Sequence, residues 1–201
     1  MNKETIYRLF FIASFIALMT IRIYYQSKVL RDKREFKFSE GKLSLIAGSI
    51  ASLTNIIFGA EYLFSARLFS FAYVLHYPDW LRITGVLLLA GGIILLGSAH
   101  HHLGMSFHSL VGTKEEHALV KTGPYRRIRH PIYTAYLTSS VGGGLLTSNI
   151  VLTFVPFVMY ALMAMIRMNQ EEEIMHQLFG EEYADYQAQT GRLLPKLLHH
   201  P

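Results

Sequence analysis

Residues 123–137 read GPYRRIRHPIYTAYL and set Arg126, Arg127, Arg129 and His130 directly against the start of an apolar stretch. Gly123-Pro124 is a turn signal. Pro131 suits the first turn of a helix, where its missing N–H had no partner anyway. Arg127, Arg129 and His130 therefore sit near a helix N-terminus, an end already partly positive and suited to an anion. Two readings fit. Basic residues at a membrane edge can simply anchor a cytoplasmic loop. An anchor, however, gives no reason to stack positive side chains on a positive dipole, whereas a bound carboxylate supplies one.

A second polar run, RMNQEEEIMHQLFGEEYADYQ, occupies residues 167–187. On a helix, Glu171 lies one turn from Arg167 on the same face. The pair is either an ordinary helix-surface ion pair, worth roughly a few tenths of a kcal/mol, or a functional pair held near the bilayer. Glu172 and Glu173 are expected to point elsewhere and to be solvated. Ile174, Leu178, Tyr183 and Tyr186 form an apolar stripe interrupted at Gly180, which predicts an amphipathic segment folded back onto the rest of the chain.

Other residue types with chemical potential lead less far. His100, His101, His102, His108, His117, His130 and His176 lack the repeated HxxxH and HxxHH clusters of membrane di-iron oxygenases. Three consecutive histidines cannot share a helix face, and no metal site is expected. Gly142, Gly143 and Gly144 have no strand before them and no Gly-Lys-Ser/Thr after them, so packing or a kink is their reading rather than a phosphate cradle. There is no cysteine, which excludes disulfides and cysteine nucleophiles.

The elements that must position these residues are membrane spans. Of 201 residues, 51% are hydrophobic and only 16% charged, where a soluble domain carries about a quarter charged residues. About 20 apolar residues cross a bilayer as helix, and five stretches qualify: Ile6–Tyr25, Leu43–Ala60, Leu81–Ala99, Ile132–Leu146 and Ile150–Ile166. The last two are separated by little more than TSN and predict a tight helical hairpin; Pro156 predicts a kink in the second of them. Small residues within spans two to four allow close helix contact in lipid. Residues 61–79 are ambiguous and suit either an interfacial segment or a short sixth span.

The expected class is thus an all-α polytopic bundle of about five transmembrane helices. It forms one membrane domain over 1–201, with spans in 1–100 and the chemistry-bearing loop, hairpin and C-terminal helix in 101–201. No signal-peptide cleavage site follows the first apolar run, which is read as a retained span. The net charge of +5 is read as loops facing anionic headgroups rather than as a nucleic-acid surface. Lysine and arginine alternate between loops, placing the N-terminus outside and residues 100–131 and 167–195 together on the cytoplasmic side.

Both polar runs carry a resemblance. HALVKTGPYRRIRHPIYTAYL, followed by RMNQEEEIMHQLFGEEYADYQAQTGRLLP, resembles the membrane methyltransferases of the isoprenylcysteine carboxyl methyltransferase and phospholipid methyltransferase superfamily. The shared pattern is LV-x-x-G-x-Y, RHP-x-Y, a helical hairpin, a glutamate-rich stretch, FG-x-E-Y-x-x-Y and R-x-x-P. Here it falls on Leu119–Val120, Gly123 and Tyr125, Arg129–Pro131 and Tyr133, Glu171–Glu173, Phe179–Tyr183 and Tyr186, and Arg192 with Pro195. The match spans about the last hundred residues.

That resemblance implies S-adenosylmethionine bound at the cytoplasmic face, with S-adenosylhomocysteine as product. It also implies a lipophilic acceptor such as a prenylated cysteine or a lipid, reached from the membrane. His117, Ala118, Leu119 and Val120 match the segment contacting adenosine. Tyr125, His130, Pro131 and Tyr133 match other cofactor contacts. Glu171 matches the glutamate holding the cofactor, with Glu172 as the alternative register. Arg167 matches the arginine proposed to orient the acceptor carboxylate, the catalytic assignment.

A carboxylate acceptor is ionised at neutral pH and needs no general base; an arginine fork orients it. A phospholipid amine would need a nearby base. A reductase of the steroid 5α-reductase type would need several basic groups for nicotinamide phosphates. A non-catalytic membrane scaffold is a further alternative.

Overall fold

The computed structural model describes residues 2–31, 42–64, 68–73, 76–104 and 119–196. The described chain is helical: α1 (Lys3–Arg31), α2 (Lys42–Phe64), α3 (Asp79–Leu103), α4 (Pro131–Thr147), α5 (Ile150–Phe179) and α6 (Glu181–Gln189). The helices α1, α2, α3 and α5 are long and apolar enough to cross a membrane. With 17 residues, α4 is shorter, about 25 Å, against about 30 Å of hydrocarbon. It compensates by running through the middle of the bundle, packed along α3 on one side and α5 on the other. The result is the multi-pass membrane bundle of about five spans that hydropathy implied.

Two boundaries differ from the hydropathy reading. Instead of stopping at Ile166, α5 continues unbroken to Phe179, about 45 Å at about 1.5 Å per residue. The glutamates therefore ride on the same rigid rod as the span, and Arg167 and Glu171 keep helical register with the membrane helix. In the ambiguous 61–79 stretch, α2 ends at Phe64 and a 3-10 turn covers Ser70–Tyr73. Among the described residues, no further span arises there. Instead Glu61, buried near the end of α2, accepts the Phe69 N–H at 2.7 Å and closes the turn.

Lipid tails are as apolar as leucine, so burying a leucine between helices gains little, and close packing must hold the bundle. Glycine permits it. A Cβ added at Gly142 would stand 2.5 Å from the Leu89 backbone nitrogen, and one at Gly85 would stand 2.5 Å from that of Leu146. The backbones of α3 and α4 thus approach as closely as glycine allows. The α4–α5 hairpin closes on Ser148, whose φ of 53° is left-handed, and on Asn149, whose side chain caps α5 by accepting the Leu152 N–H at 2.9 Å.

The far end of the bundle has its own polar staple. Arg82 of α3 grips Glu4 of α1 with both guanidinium nitrogens, at 2.8 and 3.2 Å, and donates through Nε to the Leu146 carbonyl at 2.9 Å. A bidentate pair of this kind fixes geometry as well as charge. It ties α1, α3 and the end of α4 together away from the two polar runs, leaving the opposite end for the site.

A glycine substitution series tests the α3–α4 contact. Gly142→Ala is expected to destabilise by about 1–3 kcal/mol through overpacking against backbone. Gly91→Ala, where an added Cβ meets nothing within 4 Å, is expected to be neutral or stabilising by up to about 1 kcal/mol through helix propensity. Thermal unfolding of both variants in the same detergent reads the difference.

Candidate active site

The loop before α4 and the tail after α6 are zipped together by backbone. The Arg129 N–H donates to the Gly191 carbonyl at 2.8 Å, His130 to Arg192 at 3.1 Å, and Gly191 to Arg127 at 3.0 Å. Ile128 and Gly191 form an isolated parallel bridge. A Cβ at Gly191 would collide with the Leu194 carbonyl, so the crossing needs a glycine there. Thr134 at the start of α4 donates to the Leu193 carbonyl at 2.6 Å, and the Tyr186 hydroxyl of α6 donates to the Tyr125 backbone carbonyl at 2.7 Å. The amphipathic segment expected from the Tyr183–Tyr186 stripe is α6, with both tyrosines buried.

This zipper delivers three cationic side chains to one carboxylate. Glu172 Oε1 lies 3.0 Å from Arg129 Nε and 3.0 Å from His130 Nε2; its Oε2 lies 3.3 Å from a terminal nitrogen of Arg192. Arg129 also donates to the Thr190 carbonyl at 2.5 Å. The expectation that Glu172 is solvated is corrected: it is buried, whereas Glu173 is exposed. The cause is periodicity. Ala164, Met168 and Glu172 lie four residues apart on the buried face of α5, and that spacing was the sequence signal for an inward Glu172. The charge of Arg129, read earlier as free for a ligand carboxylate, is consumed within the protein.

Glu171 is held differently. It accepts from the Tyr133 hydroxyl at 2.6 Å, its Oε2 lies 3.3 Å from His130 Nδ1, and its Oε1 lies 3.7 Å from Arg167 Nε one turn back. Its side chain keeps 21% exposure, against 12% for Glu172. His130 thus stands between the two carboxylates with one ring nitrogen towards each. Tyr133 packs with Ala164 and Met168 in a small core, which fixes its hydroxyl beneath Glu171.

The sequence-derived site residues fall as follows. Tyr125, His130, Pro131, Tyr133, Arg167 and Glu171 gather at this one end of the bundle, with Pro131 fully buried as the first residue of α4. Leu119 and Val120 are half-buried where the loop leads into the 3-10 turn Gly123–Arg126. His117 and Ala118 lie outside the described residues. Lys121 pairs with Glu182 of α6 at 2.8 Å and adds a second strut between loop and tail.

Below the cluster, within the spans, lies a cavity of about 310 Å³ bounded by α1 to α5. Its wall includes Tyr136 and Tyr160, stacked at 5.2 Å with a 26° interplanar angle, together with Arg22, Phe15 and Gly143. Tyr136 lies three residues after Tyr133 on α4, one helical turn from the hydroxyl that holds Glu171. Tyr136 therefore stands between the intramembrane cavity and the charged cluster.

The profile of the isoprenylcysteine carboxyl methyltransferase family matches residues 83–177. Protein-S-isoprenylcysteine O-methyltransferase of Saccharomyces cerevisiae is 31% identical over 164 residues, covering 80% of this chain and 66% of that protein. The human protein of the same name is 31% identical over 122 residues, covering 58% and 42%. The A form from Arabidopsis thaliana is 30% identical over 118 residues, covering 58% and 60%. The solved structure of the eukaryotic intramembrane Ras methyltransferase, an isoprenylcysteine carboxyl methyltransferase, superposes with a TM-score of 0.57 at 23% identity. That superposition covers 94% of this chain and 63% of that one. The chain belongs to the isoprenylcysteine carboxyl methyltransferase superfamily. It spans less than two thirds of the length of these relatives, and the matched region holds the α3–α4–α5 core, the loop and the glutamates.

The electrostatics of the cluster follow from its burial. Burial alone would lower the His130 pKa, but hydrogen bonds and charge from Glu171 and Glu172 overcome it and hold the pKa above the ordinary 6.5. Burial pushes the Tyr125 hydroxyl up and raises that of Tyr186 to about 12, so both remain neutral. An imidazolium between two carboxylates is the arrangement that pairs every charge.

Two outcomes check this cluster. Glu172→Ala removes the carboxylate shared by Arg129 and His130, whose side chains are each 9% exposed, and by the more exposed Arg192, and is expected to destabilise by about 3 kcal/mol. Glu173→Ala, on the exposed face, should stay within about 0.5 kcal/mol. The His130 pKa is higher folded than unfolded. Its contribution is therefore complete below pH about 6.5 and is lost as pH rises through the raised folded value. Melting temperature in detergent should fall across that alkaline window, and the His130→Phe variant should lack this component.

Proposed function

We propose that the chain is an integral membrane S-adenosylmethionine-dependent methyltransferase that esterifies the carboxylate of an isoprenylated cysteine. The observation that carries this reading is Arg167. It stands on α5 one turn from Glu171, which accepts from Tyr133, and Tyr133 lies one turn of α4 from Tyr136 in the wall of the intramembrane cavity. A polar reaction centre thus adjoins a lipid-depth compartment.

The donor set fits the cofactor. S-adenosylmethionine offers an ammonium and ribose hydroxyls, which a carboxylate receives, and it supplies a methyl group already activated on a sulfonium. Glu172 has its charge matched by Arg129, His130 and Arg192. Glu171 is the more exposed carboxylate and is aimed by the Tyr133 hydroxyl. Glu171, Tyr133 and the loop residues Leu119, Val120 and Tyr125 form the cofactor wall, with His117 and Ala118 preceding them in the chain. The sequence placed His130 at a helix end suited to an anion and, by resemblance, among the cofactor contacts. Its two ring nitrogens face Glu171 and Glu172 instead, so in this reading it holds the cofactor glutamate in place.

The residues of the chain mainly align the reactants, the source of most of the rate in an in-line displacement. Arg167 orients the acceptor carboxylate, which is ionised at neutral pH and needs no proton removed. Tyr136 and Tyr160 present an apolar wall to the acceptor's lipid chain and keep it in the membrane. Methyl transfer to an amine would need a base to take its proton. Nicotinamide binding would need uncommitted basic groups, and the engagement of Arg129 and Arg192 with Glu172 weighs against it. The orientation proposed is N-terminus outside, with the site and the C-terminus cytoplasmic.

The test uses purified protein with labelled S-adenosylmethionine, offered farnesylated N-acetylcysteine or phosphatidylethanolamine. Only the farnesylated acid should be methylated. Glu171→Ala should weaken cofactor binding at least about tenfold by calorimetry. Arg167→Ala should bind the cofactor within about twofold of wild type and lose at least about a hundredfold in kcat/KM, the scale of one lost electrostatic donor. Cofactor affinity lost along with turnover would reassign Arg167 to the donor.

A further inference from the structure

The intramembrane cavity has one feature that methyl transfer itself does not require. On α4, Tyr136, Ser140 and Gly143 fall at helical spacing on one face, and all three line the cavity. Gly142 and Gly144, on either side, are pressed against neighbouring backbone, where an added Cβ finds no room. Gly143 differs: a Cβ added there meets nothing within 4 Å. Helix packing therefore gives no reason for the missing side chain, and its place in the wall gives one, since any side chain at this position would project into the cavity.

The surroundings fit an apolar chain. Ser52 and Ser140 donate their hydroxyls back to carbonyls of their own helices, Gly48 and Leu137. Ser14, Asn55 and Ser139 add polar groups to the wall, whose larger part is methylene and ring, including Phe15 and Leu89. Ten residues of α4 separate Tyr133, at Glu171, from Gly143, a distance of about 15 Å. A lipid chain whose polar end lies at the carboxylate–arginine cluster would pass Tyr136 and meet Gly143 towards its far end.

We propose that Gly143 gauges the length of the acceptor's lipid chain, leaving open the part of the cavity that the distal isoprene unit occupies. The inference rests on the reading of the chain as a methyltransferase of prenylated acceptors. Gly143 is a specificity-determining residue in this account and takes no part in methyl transfer.

The experiment compares kcat/KM for N-acetylcysteine carrying geranyl, farnesyl or geranylgeranyl chains. The variants are Gly143→Leu, Phe15→Ala and, as a lipid-facing control, Gly91→Leu, each with cofactor affinity measured by calorimetry. A single methylene in an apolar pocket discriminates by about 10–200-fold. Gly143→Leu should accordingly raise the geranyl-to-geranylgeranyl preference at least about tenfold with cofactor affinity unchanged. Phe15→Ala enlarges the same cavity and should shift the preference towards geranylgeranyl, which keeps the proposal testable if the leucine variant does not fold. Gly91→Leu should leave the ratio as in wild type. An unchanged ratio in both cavity variants, or an equal loss for all three chains in Gly143→Leu, overturns the gauge. Wild-type protein that binds the cofactor but methylates none of the three sinks the functional reading itself, and the gauge with it.

Discussion

A buried carboxylate with three cations around it is the interaction on which the site depends. Glu172 leaves water when α5 packs against the loop and tail, and isolated ionised groups do not survive that transfer. Its charge is matched by Arg129 and His130 from the loop and by Arg192 from the tail. Each partner comes from a different stretch of chain, or from a stretch that the parallel bridge between Ile128 and Gly191 must first align. The carboxylate therefore works as a register mark. The loop and the tail can reach α5 in one arrangement only, because any slip leaves a buried charge alone.

That mark divides the adjacent glutamates into two kinds. Glu172 is spent on structure and Glu171 is presented. The imidazole of His130 links them, one nitrogen to each, so the position of the presented carboxylate depends on the buried one. Tyr133 adds a second constraint from α4. A reactive group on a loop would lose precision to loop motion; here the presented carboxylate and Arg167 share a continuous 30-residue helix and are spaced by its pitch.

The rest of the bundle brings the rod and its partners together in a solvent that offers helices no hydrophobic drive. Glycine contacts bring α3 against α4, and the Arg82–Glu4 pair secures the opposite end. The space between α1 and α5 opens beside Gly143, whereas Gly85 and Gly142 are pressed against neighbouring backbone. Tyr136 joins the two regions, lining the cavity one helical turn from Tyr133.

The amino-acid sequence by itself determined the membrane-spanning class, about five of the spans and the gathering of the polar runs at one end. Apolar length against bilayer thickness and alternating loop charge are one-dimensional quantities. The helical offset of Arg167 and Glu171 was legible for the same reason, since four residues make one turn in any helix. The sequence did not settle which glutamate turns inward or what the arginines answer to. Ala164, Met168 and Glu172 share a face, yet a burial stripe becomes decisive only when something packs against it, and the packing elements are the Arg129–His130 loop and the Gly191–Leu193 tail. Those segments lie some sixty residues apart in the chain and meet through backbone hydrogen bonds, which carry no side-chain signature. Only the tertiary structure could decide that the crowded positive charge serves a glutamate of the protein itself, because a charge finds its partner by distance in space and not along the chain.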